Sequence, residues 1–163
     1  MARPRTLPDS EVFAAILRIL AAEGEKAVVF AAVARATGLA GASLVQRYGS
    51  APAMLEAALG WGWDRLDTLA EEAAEQTPDK GAQGFLKALA ERIAALPVLP
   101  LLTASQRNAR LRARVASWRG RVEGLLAARL QDADRAAMLF ATWQGQALWG
   151  GGFRLKDAIK RLG

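Results

Sequence analysis

The sequence predicts an all-α chain: an N-terminal three-helix unit containing a helix-turn-helix, followed by a C-terminal helical bundle. Three observations lead there. Apolar residues recur at spacings of three and four along most of the chain. No stretch keeps the period of two that a half-buried strand needs. Glycines and prolines fall where each helical pattern stops. With 163 residues, 52% apolar and 23% charged, the chain has a folded protein's composition and the length for one core, or for a small domain joined to a larger one.

The first element, "DSEVFAAILRILAAEG", places Val12, Phe13, Ile16, Leu17, Ile19 and Leu20 on one face and ends at Gly24. Pro8 suits a first turn, and Thr6 with Asp9 forms a T-x-x-D arrangement, so this helix is expected to begin before Asp9. Next, "FAAVARATG" reads as a compact helix with Val33 inward and a turn at Gly38. "LAGASLVQRYG" follows as a second short helix, with Leu39, Leu44 and Tyr48 packing back on the first. Ala34, four residues before Gly38, is small enough for two helices to cross steeply there. An ordinary helical hairpin gives the same spacing, and both readings stand at this point.

Ser50 is a natural N-cap for the following helix, with Pro52 in its first turn and Leu55, Leu59, Leu66, Leu69 and Ala73 at helical spacing. "TPDKGAQG" breaks the pattern and reads as a loop. "FLKALAERIAALPVLPLL" resumes it until Pro97 and Pro100, which are expected to stop the helix. In "NARLRARVASWRGRVEGLLAARL" the apolar stripe is Leu111, Val115, Trp118, Val122, Leu125 and Leu126. Arg110, Arg114 and Arg121 gather on another flank, read as a solvated face before a nucleic-acid stripe. The final major helix starts near Asp132 or Asp134, carries Met138, Leu139, Phe140, Trp143 and Trp149, and stops at "GGG". A short basic amphipathic tail follows it. The expected division is a helix-turn-helix domain over 1–55 and an effector-binding and dimerisation domain over 56–163.

Composition narrows the chemistry. With no cysteine there are no disulfides or thiolate metal sites, and with no histidine the usual general base and the usual metal ligand are missing. No metal, cofactor or enzymatic activity is expected. Glu71, Glu72 and Glu75 form the densest acidic set and read as an exposed helix flank. The opening "MARPRTLPDSEV" has no apolar run after its arginines, so it does not read as a secretory signal, and a cytoplasmic location is expected. Ala136 to Phe153 runs eighteen residues without a charge, near the lower limit for spanning a membrane. Gln144, Gln146 and four glycines in it favour a helix buried in a core or against a partner subunit. The net charge of +6 is uneven: +2 over 1–55, −5 over 56–80 and +9 over 81–163. A basic balance fits a nucleic-acid partner, yet the helix-turn-helix segment is nearly neutral.

The "ARPR" arm, the helix ending at Gly24, "VARATGL" (33–39) and "YGSAPAML" (48–55) together resemble the N-terminal signature of the TetR (tetracycline-repressor-like) family of bacterial transcriptional regulators, over residues 3–59. The segment "DADRAAMLFATWQGQALW" is similar to the end of that family's divergent second domain. The resemblance implies a homodimer with two recognition helices spaced for successive major grooves of a double-stranded DNA operator. It further implies repression of transcription until a small-molecule effector shifts that spacing.

Four positions depart from the family pattern. Val29 stands where a threonine usually opens the second helix, Ala40 where a serine precedes the recognition helix, Val45 where a tyrosine meets the DNA backbone, and Ala51 where a lysine follows the turn serine. Phosphate contacts hold a protein in register on the duplex. At roughly 0.5 to 1.5 kcal/mol per hydrogen bond, losing four removes several kcal/mol. The candidates that remain for DNA are Arg3 and Arg5 as a minor-groove arm, with Lys26, Arg35 and Arg47 for the backbone. Ser43 matches a family phosphate contact, and Gln46 can bond adenine in two places, with Gly41 and Ala42 allowing close approach. Gln46 and Arg47 also fit an ordinary exposed polar pair. Trp63, Leu66, Phe85, Leu89 and Leu102 are expected to line an effector site or to be core, and Trp118, Leu125, Phe140, Trp143 and Gly145 to form the dimer interface. The alternative is a dimeric TetR-fold sensing or interaction protein that has lost operator binding.

Overall fold

The structure, a computed structural model, describes residues 7–149. Among the described residues there are eight α-helices and no strand. They are α1 (Asp9–Glu23), α2 (Phe30–Thr37), α3 (Gly41–Tyr48), α4 (Ala51–Glu75), α5 (Ala82–Ile93), α6 (Val98–Ser105), α7 (Ala109–Leu130) and α8 (Ala133–Trp149). One 3-10 turn, Glu25–Ala27, follows α1.

Local chemistry sets most of the ends. Helix α1 begins at Asp9 and not earlier: Pro8 is its N-cap, in extended conformation, and Asp9 and Glu11 place negative charge in the first turn. Gly24 closes α1 at φ 83°, and Gly38 closes α2 in the left-handed region at φ 72°, donating its N–H to the Ala34 carbonyl at 2.8 Å. Ser50 caps α4 as expected, its hydroxyl accepting the Ala53 N–H at 3.2 Å. Asn108 caps α7 by accepting from Arg110 and Leu111 at 2.9 and 3.2 Å, and Asp132 caps α8 by accepting from Arg135 at 3.0 Å. Helix α6 corrects the expectation that Pro97 and Pro100 end a helix. Pro97 is the N-cap and Pro100 lies in the first turn of a new helix, where a missing N–H costs nothing. The "GGG" stop and the basic tail lie outside the described residues.

The chain forms two compact units, Met1–Arg65 with Leu96–Val115, and Leu66–Ala95 with Ala116–Gly163. Helix α4 runs unbroken through residue 55, so no flexible linker lies at the boundary expected there.

In the first unit α1 packs on α2 and on α6, and α2 packs on α3. Val12, Ile16, Val33, Leu44, Met54, Trp63 and Leu101 are fully or almost fully buried. Trp63 Nε1 donates to the Ser105 hydroxyl at 2.9 Å, and that hydroxyl donates to the Leu101 carbonyl at 2.7 Å, so the polar atoms inside α6 are matched. Gly62 allows α4 close to its neighbours, since a Cβ there would lie 2.9 Å from Leu101 Cδ1 and 3.3 Å from Leu17 Cδ1.

In the second unit Leu66, Ala70, Ala73, Phe85, Leu86, Leu89, Val122, Leu126, Ala136 and Leu139 make the core. Arg129 on α7 closes the far end of α4: it donates to the Ala74 and Thr77 carbonyls at 3.3 Å each, and its guanidinium stands over the Phe85 ring at 4.6 Å. Burial pulls its pKa below the usual arginine value. Arg121 bonds Asp67 at 3.1 Å and Glu71 at 2.5 Å, so part of the basic flank of α7 is paired with the acidic flank of α4. No helix of the described residues is long and apolar enough to cross a membrane. No group of three His, Cys, Asp or Glu among them is placed to hold a metal ion.

Candidate nucleic-acid interface

Helices α2 and α3 form the expected helix-turn-helix around Gly38. Thr37 stiffens the turn: its buried hydroxyl donates to the Val33 carbonyl at 2.7 Å, back along α2. Leu39 and Leu44 then anchor the far side, at 7% and 0% exposure. These inward residues decide which side of α3 faces out. Ala42, Val45 and Gln46 are exposed and Ser43 is half-buried, while Gly41 begins the helix with open space where a side chain would stand.

The C-terminal end of α3 is locked onto the start of α1. Tyr48 donates its hydroxyl to Asp9 Oδ1 at 2.6 Å, and its ring lies 5.8 Å from that of Phe13. Arg47 Nη1 donates to the Leu7 carbonyl at 2.9 Å and reaches Asp9 Oδ1 at 3.5 Å. Burial first, and then the hydrogen bond and charge of Asp9, push the Tyr48 hydroxyl up to about 12, against an opposing effect of Arg47. Sequence reasoning assigned Arg47 to the DNA backbone and Tyr48 to the core. It missed that both hold Asp9, because nothing in the local spacing connects residues almost forty positions apart.

Lys26, in the 3-10 turn, and Arg35, near the end of α2, are exposed. Arg3 and Arg5 lie outside the described residues. The four departures from the family pattern show plainly. Val29 and Ala40 occupy the N-cap positions of α2 and α3 and make no side-chain cap bond, and Val29 and Val45 are 45% and 46% exposed. Ala51 is the first residue of α4.

The residues expected around an effector are divided between the units. Trp63 and Leu102 belong to the first, Leu66, Phe85 and Leu89 to the second, and all but half-buried Leu102 are at most 1% exposed. A cleft of about 430 Å³ opens elsewhere in the first unit, lined by Glu56, Gly60, Asp64, Arg110 and Arg114 among others, with Arg114 paired to Asp64 across it. A signal for that pairing was present in the opposed charge excesses of residues 56–80 and 81–163. Of the residues expected at a dimer interface, Trp118, Phe140 and Trp143 are buried in the second unit, with ring centroids about 6 Å apart in succession. Leu125 and Gly145 are half-buried. The apolar groups that face outward on α8 are Met138, Leu148 and Trp149, at 51, 54 and 83% exposure.

The described residues, all helical with an N-terminal helix-turn-helix, have the TetR-type fold of solved transcriptional regulators. The chain is similar to the multidrug binding protein EbrR, solved with imidazole, at 20% identity and TM-score 0.69 over 97% of this chain and 94% of that one. It is similar to the TetR family transcriptional regulator PfmR from Thermus thermophilus, at 20% identity and TM-score 0.66 over 90% and 91%. It also resembles the fatty acid degradation regulator FadR from Bacillus halodurans, at 16% identity and TM-score 0.63 over 97% and 94%. No family model and no curated protein matches the sequence. Likenesses at these identities establish the fold and leave the function to the residues at the site.

Proposed function

We propose that this chain is a TetR-like transcriptional regulator that binds double-stranded DNA as a homodimer and is released by a small molecule. The observation that carries this reading is the outward side of α3. Leu44 anchors the helix inward while half-buried Ser43 lies on its flank and exposed Gln46 on its other side, one suited to a phosphate and the other to a base edge. Lys26 and Arg35 add exposed cations to the same unit. Arg3, Arg5, Gly41 and Ala42 complete the proposed contact set.

For the homodimer the proposed surface is formed by the last two helices. Met138, Leu148 and Trp149 supply exposed apolar area, Leu125 and Gly145 border it, and Trp118, Phe140 and Trp143 stiffen α7 and α8 from within. For the effector, the cleft beside Glu56, Asp64 and Arg110 has the volume of a small-molecule site. Trp63, Leu66, Phe85, Leu89 and Leu102 act as packing residues in this reading.

Titration of the full-length protein against DNA flanking its own gene, at two salt concentrations, tests the central statement. Sequence-preferring binding that weakens as salt rises is expected. Equal affinity for random DNA, with no footprint, rejects it. A specific observation favours a second reading, a TetR-fold interaction protein without operator binding: Val29 and Val45 present exposed apolar groups where polar ones serve DNA-binding relatives. In that case the native protein has no preference for any duplex, and Val29→Thr, Ala40→Ser, Val45→Tyr and Ala51→Lys together create DNA affinity.

A further inference from the structure

The outward side of α3 has a chemistry that points to particular base pairs. Fully buried Leu44 and half-buried Tyr48 fix the inward side; at about 100° per residue Ala42 and Gln46 fall opposite it, and Val45, 46% exposed, lies on the flank between the two sides, close to one turn from Ala42. Val45 offers an apolar group and Gln46 an amide. The single cation of α3, Arg47, is turned back to the Leu7 carbonyl and Asp9.

Each of these features selects against guanine and for adenine and thymine. The guanine edge is most often read by an arginine or lysine bonding O6 and N7, and α3 has no such group facing outward. A glutamine amide matches adenine N6 and N7. The C5-methyl of thymine is the apolar group that a major-groove base edge offers to an apolar side chain. Cytosine has only a hydrogen at C5 and offers Val45 no methyl to cover. We infer that Val45 and Ala42 are specificity-determining residues that contact thymine methyl groups, so that α3 selects a half-site built on A·T pairs with Gln46 on an adjacent adenine. The inference rests on the DNA-binding reading above and assigns Val45 a role of its own in place of a lost phosphate contact.

The test uses the full-length native protein and a randomised duplex library. Retained duplexes are sequenced, and the best one is remade with deoxyuridine replacing thymidine at one position at a time, which removes only the methyl. The expected half-site has adjacent A·T pairs. At each contacted thymine the methyl deletion weakens binding about fourfold, the factor for one buried methyl group. Val45→Ala should weaken binding to the thymine duplex by a similar factor and abolish its sensitivity to uracil at one position. Tight binding that ignores uracil at every position, or half-sites with guanine under α3, overturns this inference and leaves the DNA-binding reading intact. No enrichment of any duplex over random DNA overturns the DNA-binding reading itself.

Discussion

Two helix caps are missing from the helix-turn-helix, and restoring them gives a prediction with a worked magnitude. Val29 and Ala40 both have the extended backbone of an N-cap, at φ −122°, ψ 156° and φ −68°, ψ 138°, yet neither side chain can accept a hydrogen bond. Val29→Thr and Ala40→Ser supply a hydroxyl at each. A cap of this kind contributes typically about 1 kcal/mol by accepting from a first-turn N–H that otherwise lacks a helical partner. Against this, Val29→Thr exchanges a methyl for a hydroxyl at a site that is 45% exposed, which forfeits about half of the ~0.8 kcal/mol of a buried methyl. Ala40 is exposed and gives up nothing. The net expectation is about 0.5 kcal/mol for Val29→Thr and about 1 kcal/mol for Ala40→Ser. Urea unfolding should show a higher midpoint at unchanged slope for each variant. A midpoint unmoved or lowered in both refutes the view that these first turns lack caps. DNA affinity is a separate readout, since in the proposed complex the same hydroxyls would be available to a phosphate.

Three further outcomes follow from the second unit and from the α1–α3 lock. Tyr48 is the chain's one tyrosine, so phenolate absorbance reports it directly; its titration should centre near 12 in the folded protein and near the ordinary value of about 10 when unfolded. Between those values the folded state holds the proton that the unfolded state has lost, so stability falls as pH rises from about 10 to about 12, and Tyr48→Phe should flatten that part of the profile. Arg129→Lys keeps the charge but loses the planar fork that reaches two carbonyls above the Phe85 ring, and should lower stability by about 1–3 kcal/mol; an unchanged urea midpoint contradicts that role. Asp9→Asn should loosen Arg47 and let it reach DNA, steepening the salt dependence of binding by about one charge per subunit and admitting guanine under α3. Binding with unchanged slope and base preference would show that the Leu7 carbonyl alone holds the guanidinium.

What the sequence made legible was whatever local spacing decides. Gly24 and Gly38 end helices because only a residue without a Cβ takes φ near +80° cheaply, and a short sequence window contains all of that information. Ser50 as a cap and Val33 and Leu44 as inward residues belong to the same class. Pro97 and Pro100 mark the limit of it. A proline a few residues after a helix has the same local signature whether the chain then loops or starts a new turn, and the packing of α1 against α6 decides between them. Trp118, Phe140 and Trp143 mark another limit: an apolar stripe shows that a side chain leaves water, and says nothing about whether its own unit or a partner covers it.

The lock at Asp9 joins these limits to function. The nearly neutral helix-turn-helix and the excess of arginine elsewhere look contradictory for the proposed DNA-binding role until the arginines are followed individually. Arg47 reaches Asp9 at the start of α1, Arg121 bonds α4 and Arg129 closes the end of a helix, so these three arginines are committed to holding helices together. In the proposed complex, affinity must come from Lys26, Arg35 and the N-terminal arginines, and selectivity from a nearly uncharged α3. A helix with those properties discriminates by methyl groups and amide geometry, which is why removing one thymine methyl is a more searching test of this protein than removing one of its charges.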